Sequence, residues 1–488
     1  MKKHGLGPKL RSAYLWTTGV NVTKSAIAFV LSILLARFLE PKDYGLVGMV
    51  TVFIGFLGTF QDVGLGQAVF SFDPDDTILP TYFTVASLTG VVLTLLGFAS
   101  APWIAAFYHE PRMIPIIQVL SVTLFLGSLG SVSKSLLSKR FQFRELTLIE
   151  SGCALSCGLL AVVLAWKGFG VWSLVANLVS ASFLQTTLMC WIVRPRFTAR
   201  VDGAEVRKVL RFGTPLIGAE LLWKFYKNSD YLVIGKFLGS VALGQYTLAY
   251  RLATVVNDKI SVIVNRVTVP AFAALKDDRN ALVGHWFSVT RKLALVNFAL
   301  LVGIAMNGED FITVALGQKW LPAVVPLRFL CAVGAWDTIT PIINNLLQVK
   351  RRTDFMFIYS LFNAILLPVG FTIACQAGWG LAGVGILWCV LYPLSCLYQL
   401  SKALRLVDAT FWDYWSHLMF PIGVAGICLV GMMPVSWLLP GGLVRLCVRA
   451  AVGIACFALC VSFRPGTRQI LRDLLGSRTP AEAIVRRG

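Results

Sequence analysis

The chain has 488 residues, of which 57% are hydrophobic and only 14% are charged. Soluble domains carry about a quarter of charged residues, so this composition excludes an ordinary globular protein and predicts a polytopic membrane protein. The formal net charge is +20, but the cations collect in loops on one side of the predicted membrane, which argues against nucleic acid as a partner. The 11 cysteines lie mostly in apolar stretches without zinc-ligand spacing, so we expect no metal site and no cofactor.

Apolar stretches long enough to cross a bilayer recur along the whole chain, with short loops between them. The first stretch follows several lysines but is too long for a signal peptide, so we interpret it as an uncleaved span. We predict an all-α polytopic membrane protein with about fourteen transmembrane helices. The predicted helices are roughly residues 12–38, 44–70, 79–105, 113–137, 146–166, 169–193, 209–237, 241–269, 289–317, 323–348, 354–377, 381–404, 414–438 and 442–463.

The distribution of lysine and arginine among the loops predicts the orientation, because cytoplasmic loops carry an excess of cations. With the N-terminus in the cytoplasm, every cation-rich loop is cytoplasmic, and the opposite loops carry only scattered cations. We therefore expect both termini in the cytoplasm. The cation-rich segments that decide this orientation are 139–144, 194–211, 276–279, 350–352 and the tail 464–488.

The two halves of the chain repeat one sequence pattern. LARFLEPKDYGLVG at 35–48 resembles IGKFLGSVALGQYT at 234–247, and Gly45 aligns with Gly244 at an offset of 199 residues. Each repeat holds six predicted helices, so the halves share one orientation. Repeats of this kind are typical of transporters with a site between the halves. The alternative is a gene duplication that was kept only for packing. We predict a six-helix lobe at 1–200, a second six-helix lobe at 201–405, and two extra helices with a basic cytoplasmic tail at 406–488.

Several charged residues lie inside predicted helices, where a charge facing lipid costs about 2.5–3.5 kcal/mol. In the predicted helix 209–237, Glu220, Lys224 and Lys227 share one face within an arc of about 60°. Such charges must face one another or a water-filled cavity. Glu220 and Lys224 have helical ion-pair spacing, so an internal salt bridge is one interpretation. The second interpretation is a cationic cavity for an anionic substrate, which the surplus of cations in predicted helices 1, 7 and 8 indicates.

The stretches LARFLEPKDYGLVGMVTVF, NSDYLVIGKFLGSVALGQYTLAYRLA and VALGQKWLPAV resemble the polysaccharide transporter family. Its members are Wzx-like flippases of the multidrug/oligosaccharidyl-lipid/polysaccharide (MOP) exporter superfamily, and the resemblance covers about residues 1–405. It implies a V-shaped, MATE-type arrangement of two six-helix lobes. It also implies that the protein translocates undecaprenyl-diphosphate-linked oligosaccharide repeat units across the bacterial inner membrane, for exopolysaccharide, capsule or lipopolysaccharide O-antigen.

The resemblance gives the expected partners, and the charges inside the predicted helices give the expected site residues. We expect the diphosphate among the cations and the polyprenyl tail in membrane lipid, with a proton or sodium ion as the coupling ion and polysaccharide polymerase and chain-length proteins as further partners. The predicted cavity cations are Lys24, Lys224, Lys227 and Arg251, and the predicted gating or ion-coupling carboxylates are Asp62, Asp230, Asp258 and Asp337.

Two other functions stay open on the sequence. A cation-coupled small-molecule exporter of the same superfamily prefers an acidic cavity for cationic drugs, and the surplus of Lys and Arg argues against it. A membrane polymerase or ligase needs a sizeable catalytic loop, and no polar loop between predicted helices exceeds about 20 residues. We therefore predict a transporter without enzymatic activity.

Overall fold

The computed structural model of the chain describes residues 27–61, 65, 69, 78–198 and 203–463, without the side chains of 205, 208–216, 219, 256, 258–267 and 353. Throughout these ranges the backbone is helical or forms short connections, with no β-strand, as the apolar sequence predicts. The α-helices of the described residues are α1 (Ile27–Phe38), α2 (Pro41–Gly58), α3 (Leu79–Tyr108), α4 (Met113–Lys139), α5 (Phe143–Trp166), α6 (Val171–Val193), α7 (Gly203–Lys227), α8 (Ser229–Ala274), α9 (Arg279–Phe311), α10 (Val324–Val349), α11 (Thr353–Gln376), α12 (Gly380–Leu406), α13 (Phe411–Leu438) and α14 (Leu443–Ser462).

Eleven helical segments of the described residues are long and apolar enough to cross a membrane. Their outer faces carry large apolar side chains in the open, such as Leu95 at 63%, Ile365 at 62% and Ile454 at 70% exposure. Apolar surface on this scale is unfavourable in water and neutral in hydrocarbon. The chain is therefore a multi-pass membrane protein, while the count of fourteen spans stays a prediction.

The helix boundaries follow the sequence closely, with two exceptions. α2 ends at Gly58, and the turn at residues 59–61 interrupts the predicted helix 44–70, of which residues 65 and 69 are helical again. The sequence predicted a break between residues 237 and 241. The structure has a single non-helical residue there, Gly239 within α8, and its φ of 81° is a conformation that favours glycine. A second interruption lies at Asn228, between α7 and α8, where the sequence predicted continuous helix.

The first compact unit comprises Met1–Gly244. In it α4 packs against α3 and α6, α5 packs against α6, and α2 packs on α4. Hydroxyl groups join these helices: Thr94 donates to the carbonyl oxygen of Ser121 at 3.1 Å and Thr186 donates to that of Leu126 at 2.9 Å. Such interhelical hydrogen bonds replace the hydrophobic effect, which contributes little between helices in lipid.

The second compact unit comprises Gln245–Gly488. α9 lies at its centre, packed against α10, α13 and α14, while α12 packs against α10 and α11. An aromatic cluster joins α9 to α13, with the ring of Tyr414 at 5.2 Å from that of Trp286 and 5.4 Å from that of Phe287. The units divide at 244/245, and the predicted lobe limits at 200 and 405 stay predictions.

Candidate functional site

Lys224, in the last turn of α7, is the best-defined charge of the predicted site. Its ammonium lies 3.0 Å from a carboxylate oxygen of Glu220, and it donates to the carbonyl oxygen of Gly55 at 3.3 Å and to the hydroxyl of Thr59 at 3.1 Å. The two hydrogen bonds use two of the three donors of the ammonium, and Glu220 adds an ion pair. The side chain is 26% exposed. The structure therefore holds this cation half-buried where α7 meets α2.

The end of α2 explains why a cation binds at this place. The N–H of Thr59 turns to the carbonyl oxygen of Phe56, so the carbonyl of Gly55 is left without its helical donor. The C-terminus of a helix carries about half a negative charge, which favours a cation there. The ring of Phe56 packs on that of Phe225 at 6.2 Å and holds the two helices beside the contact. Lys224 thus caps α2 from α7.

Glu220 is the more accessible partner of Lys224. The two residues are four apart on α7 and form the predicted salt bridge, and the carboxylate side chain is 51% exposed. The interpretation as an internal ion pair is therefore confirmed for this pair. It does not exclude substrate binding, because an exposed carboxylate is an exchangeable counter-ion. A phosphate group that replaced Glu220 would meet the same ammonium through charge-assisted hydrogen bonds.

Two of the other three predicted cations have described side chains. Lys227 ends α7 and is half-buried. Arg251 is exposed on the part of α8 that belongs to the second unit. Lys24 lies outside the described residues. The cationic cavity as a whole therefore stays a prediction.

Two of the four predicted carboxylates have described side chains. Asp230, near the start of α8, is fully buried and accepts the backbone N–H of Tyr231 at 2.8 Å. Asp337, on α10, is half-buried and accepts the hydroxyl of Tyr392 at 2.6 Å. Asp62 and the side chain of Asp258 lie outside the described residues. A gating or coupling role for these four residues stays a prediction.

The sequence analysis missed a buried charged cluster at the end of α9. Asp310 is 2% exposed and lies 2.6 Å from a guanidinium nitrogen of Arg445 and 3.0 Å from one of Arg449, both on α14. The N–H of Gly442 also donates to its carboxylate at 3.1 Å. The signal was present in the sequence, as a carboxylate in one predicted span and two arginines four residues apart in another.

A second group that the sequence analysis missed is uncharged. Asn257, Asn297 and Thr338 are buried where α8, α9 and α10 meet. Asn297 donates to the side-chain oxygens of Asn257 and Thr338, and both of these donate to the carbonyl oxygen of Gly334, at 3.1 and 2.9 Å. This network joins three helices through polar groups, as is common in membrane bundles.

Comparison with known proteins gives the family. The family described as "Polysaccharide biosynthesis protein" matches residues 34–325, more than half of the chain. The chain belongs to this family. It is 28% identical to the teichuronic acid biosynthesis protein TuaB of Bacillus subtilis, over 93% of this chain and 95% of TuaB. It is 26% identical to the lipopolysaccharide biosynthesis protein WzxC of Escherichia coli, over 76% of each chain.

The fold has a counterpart among solved structures. The structure of the lipid II flippase MurJ in its inward closed conformation matches with a TM-score of 0.74, at 12% identity, over 94% of this chain and 100% of that one. An identity this low shows the fold alone. The resemblance to polysaccharide transporters seen in the sequence is confirmed, and the chain is a membrane transport protein of polysaccharide biosynthesis whose fold matches that of MurJ.

Proposed function

We propose that the protein is a flippase that moves undecaprenyl-diphosphate-linked oligosaccharide repeat units from the cytoplasmic to the periplasmic leaflet of the bacterial inner membrane. The observation that carries the proposal is the Lys224 ammonium, held half-buried between two helices with an exposed carboxylate as counter-ion. A membrane transporter of polysaccharide biosynthesis needs a group that recognises an anionic lipid-linked sugar. A lysine with an exchangeable partner is such a group.

Substrate binding is then an exchange of anions on Lys224. The ammonium donates to Gly55 and Thr59 and pairs with Glu220, so a diphosphate binds by taking the place of Glu220 as the anionic partner. The carbonyl of Gly55 is fixed by the backbone, whereas the Glu220 carboxylate can turn into water. A diphosphate carries more charge than a carboxylate, so the exchange is favourable in a partly desolvated site. Because the ion pair re-forms when the diphosphate leaves, Glu220 limits how tightly the diphosphate is held.

Alternating access exposes the cationic cavity first to the cytoplasm and then to the periplasm, with both chain termini in the cytoplasm. The polyprenyl tail stays in lipid, and polymerase and chain-length proteins receive the flipped unit. Asp337 is our candidate for coupling to a proton or sodium ion, because a half-buried carboxylate with a phenol donor responds strongly to a bound cation.

The test is the sidedness of lipid-linked repeat units in cells that lack the gene. We expect finished units to collect on the cytoplasmic leaflet and to be released by the wild-type gene. A Lys224→Ala copy should restore transport to only about a tenth to a hundredth of the wild-type rate, since a lost charged hydrogen bond costs about 1.5–3 kcal/mol. Membrane abundance of each variant is measured in parallel.

Lys134→Ala is the matched control, because Lys134 forms an ion pair with Glu150 at 2.9 Å in the same unit and is 55% exposed. We expect this control to transport normally. Units that reach the periplasm and stay unpolymerised without the gene would indicate a polymerase instead. Normal polysaccharide with altered drug tolerance would favour the small-molecule exporter.

A further inference from the structure

The two repeats contact each other through the glycines that the sequence alignment pairs. A Cβ placed on Gly45 would lie 1.7 Å from the carbonyl oxygen of Ser240, and one placed on Gly244 would lie 1.7 Å from that of Pro41. Ser240 stands 199 residues after Pro41, as Gly244 does after Gly45. The contact is therefore reciprocal. Gly45 packs on Ser240, four residues before Gly244, and Gly244 packs on Pro41, four residues before Gly45.

Each glycine lies in the first turn of a restarted helix. α2 begins at Pro41 after the extended residue Glu40, and α8 resumes at Ser240 after the non-helical Gly239. We call residues 41–45 and 240–244 the paired turns. The residues just before the turns match in burial as well, since Phe38 and Phe237 are both 44% exposed. Backbones this close require the absence of a side chain, as in small-xxx-small helix contacts.

Three features make this contact suited to opening and closing. First, both turns are helix N-termini and carry like partial charges of about half a unit, so they repel. Asp43 offsets this charge in the first turn, where it accepts the N–H of Glu40 at 3.1 Å, but residues 240–244 contain no carboxylate. Close packing of the glycines therefore acts against an electrostatic repulsion that is only half compensated.

Second, a hinge precedes the second turn. Gly239 has a φ of 81°, and a Cβ there would meet nothing within 4 Å, so its role is conformational and not steric. Third, the surrounding polar contacts are long or partly exposed and therefore weak. Lys42 lies 3.9 Å from Glu110, and Lys236 contacts the carbonyl oxygen of Phe107 and lies 3.0 Å from the ring nitrogen of His109. Solvent-accessible pairs of this kind contribute little to stability.

We infer that the paired turns are a reversible closure of the transport path on its periplasmic side. They pack, glycine against backbone, when the path is closed there, and separate about Gly239 when it opens. The predicted topology places both turns at the periplasmic side, opposite the cation-rich loops. This inference rests on the proposed flippase function, because only an alternating-access cycle requires the contact to break.

The experiment measures how often the paired turns separate. Leu243 is fully buried in the second turn, and Leu243→Cys places a small apolar thiol there. A membrane-impermeant maleimide is added to right-side-out membrane vesicles, and the labelling is compared with the chain that keeps Leu243, which corrects for the native cysteines. In Gly45→Ala or Gly244→Ala, the added methyl group forces the turns apart, and we expect labelling of the introduced thiol to rise about fivefold to a hundredfold.

Gly152→Ala on α5 is the matched control, because a Cβ there meets nothing within 4 Å. It should leave labelling and flipping unchanged. We expect both paired-turn variants to flip lipid-linked units at a small fraction of the wild-type rate. Unchanged labelling, or normal flipping, in stably inserted Gly45→Ala and Gly244→Ala would overturn the closure while leaving the flippase assignment intact.

A second measurement needs neither glycine variant. With all glycines present, labelling of Leu243→Cys should rise when lipid-linked repeat units and an ion gradient let the cycle run. A low and constant rate under all conditions would mean that the contact is static, and the closure would be wrong. If labelling depends on the paired turns while lipid-linked units are never flipped, the closure stands and the substrate assignment fails.

Discussion

Two charged clusters, one in each unit, show how the same residue types serve different ends. Among the described residues, Lys224 has Glu220 as its one carboxylate partner, and both side chains keep contact with solvent, at 26% and 51% exposure. Asp310 is 2% exposed and is held by two arginines and a backbone N–H. The first cluster can exchange its anion without leaving a buried charge alone. The second cannot, so we interpret it as the tie that fixes α14 to α9.

The largest effect that tests this comparison is expected at Asp310. Asp310→Ala leaves the buried Arg449 and the half-buried Arg445 without their main counter-ion, and breaking a buried ion pair in this way costs about 3–5 kcal/mol. We expect little protein in the membrane and a clearly lowered Tm in detergent. Replacing the three residues together by Leu, Leu and Met should recover most of the stability, because a buried ion cluster is often no better than apolar packing. If Asp310→Ala kept the wild-type Tm, the cluster would not be what fixes α14 to α9.

An intermediate effect is expected at Asp337, which is half-buried and has Tyr392 as a donor. Asp337→Asn keeps an acceptor for the phenol, so we expect normal membrane abundance. It removes the charge, so flipping should lose its dependence on the sodium or proton gradient. Tyr392→Phe is the matched variant that removes the donor and keeps the charge, and its flipping should still depend on the gradient. Gradient dependence that survives in Asp337→Asn would exclude this residue as the coupling group.

The smallest effect sharpens the role of Lys224. Glu220→Gln removes the resident counter-ion and leaves the ammonium in place. Exposed ion pairs contribute about 0.2–1 kcal/mol, so a diphosphate-bearing lipid should bind up to about fivefold more tightly to this variant. Binding is measured on the purified protein with an undecaprenyl-diphosphate analogue. Weaker or unchanged binding would mean that Glu220 does not compete with the substrate.

The sequence predicted the helices well because span length is set by bilayer thickness and apolar stretches are long. α4 was predicted at 113–137 and runs over Met113–Lys139. Interruptions were harder to place. The run Asn228, Ser229 and Asp230 consists of residues that favour helix caps, but the apolar residues on both sides suggested one continuous span. Gly55 and Gly58 indicated a possible end of α2, but glycine is common in membrane helices and does not by itself determine where a helix ends.

The candidate site was predicted only in part. Helical spacing on one chain segment gave the Glu220–Lys224 pair, because residues four apart must meet on a helix. The contacts of Lys224 with Gly55 and Thr59 join residues more than 160 positions apart, and no local pattern contains them. Asp310 and its arginines are separated in the same way. Gly45 and Gly244 are the one long-range contact that the sequence suggested, because the internal repeat aligns these two glycines.

The central claim is that the Lys224 ammonium binds the diphosphate of a lipid-linked sugar. The most direct test reconstitutes the purified protein in liposomes with a lipid-linked oligosaccharide and measures the fraction that crosses the bilayer with time. We predict that Lys224→Ala lowers the initial rate about tenfold to a hundredfold, whereas Lys134→Ala leaves it unchanged. Equal rates for wild type and Lys224→Ala, at equal amounts of folded protein, would contradict the account.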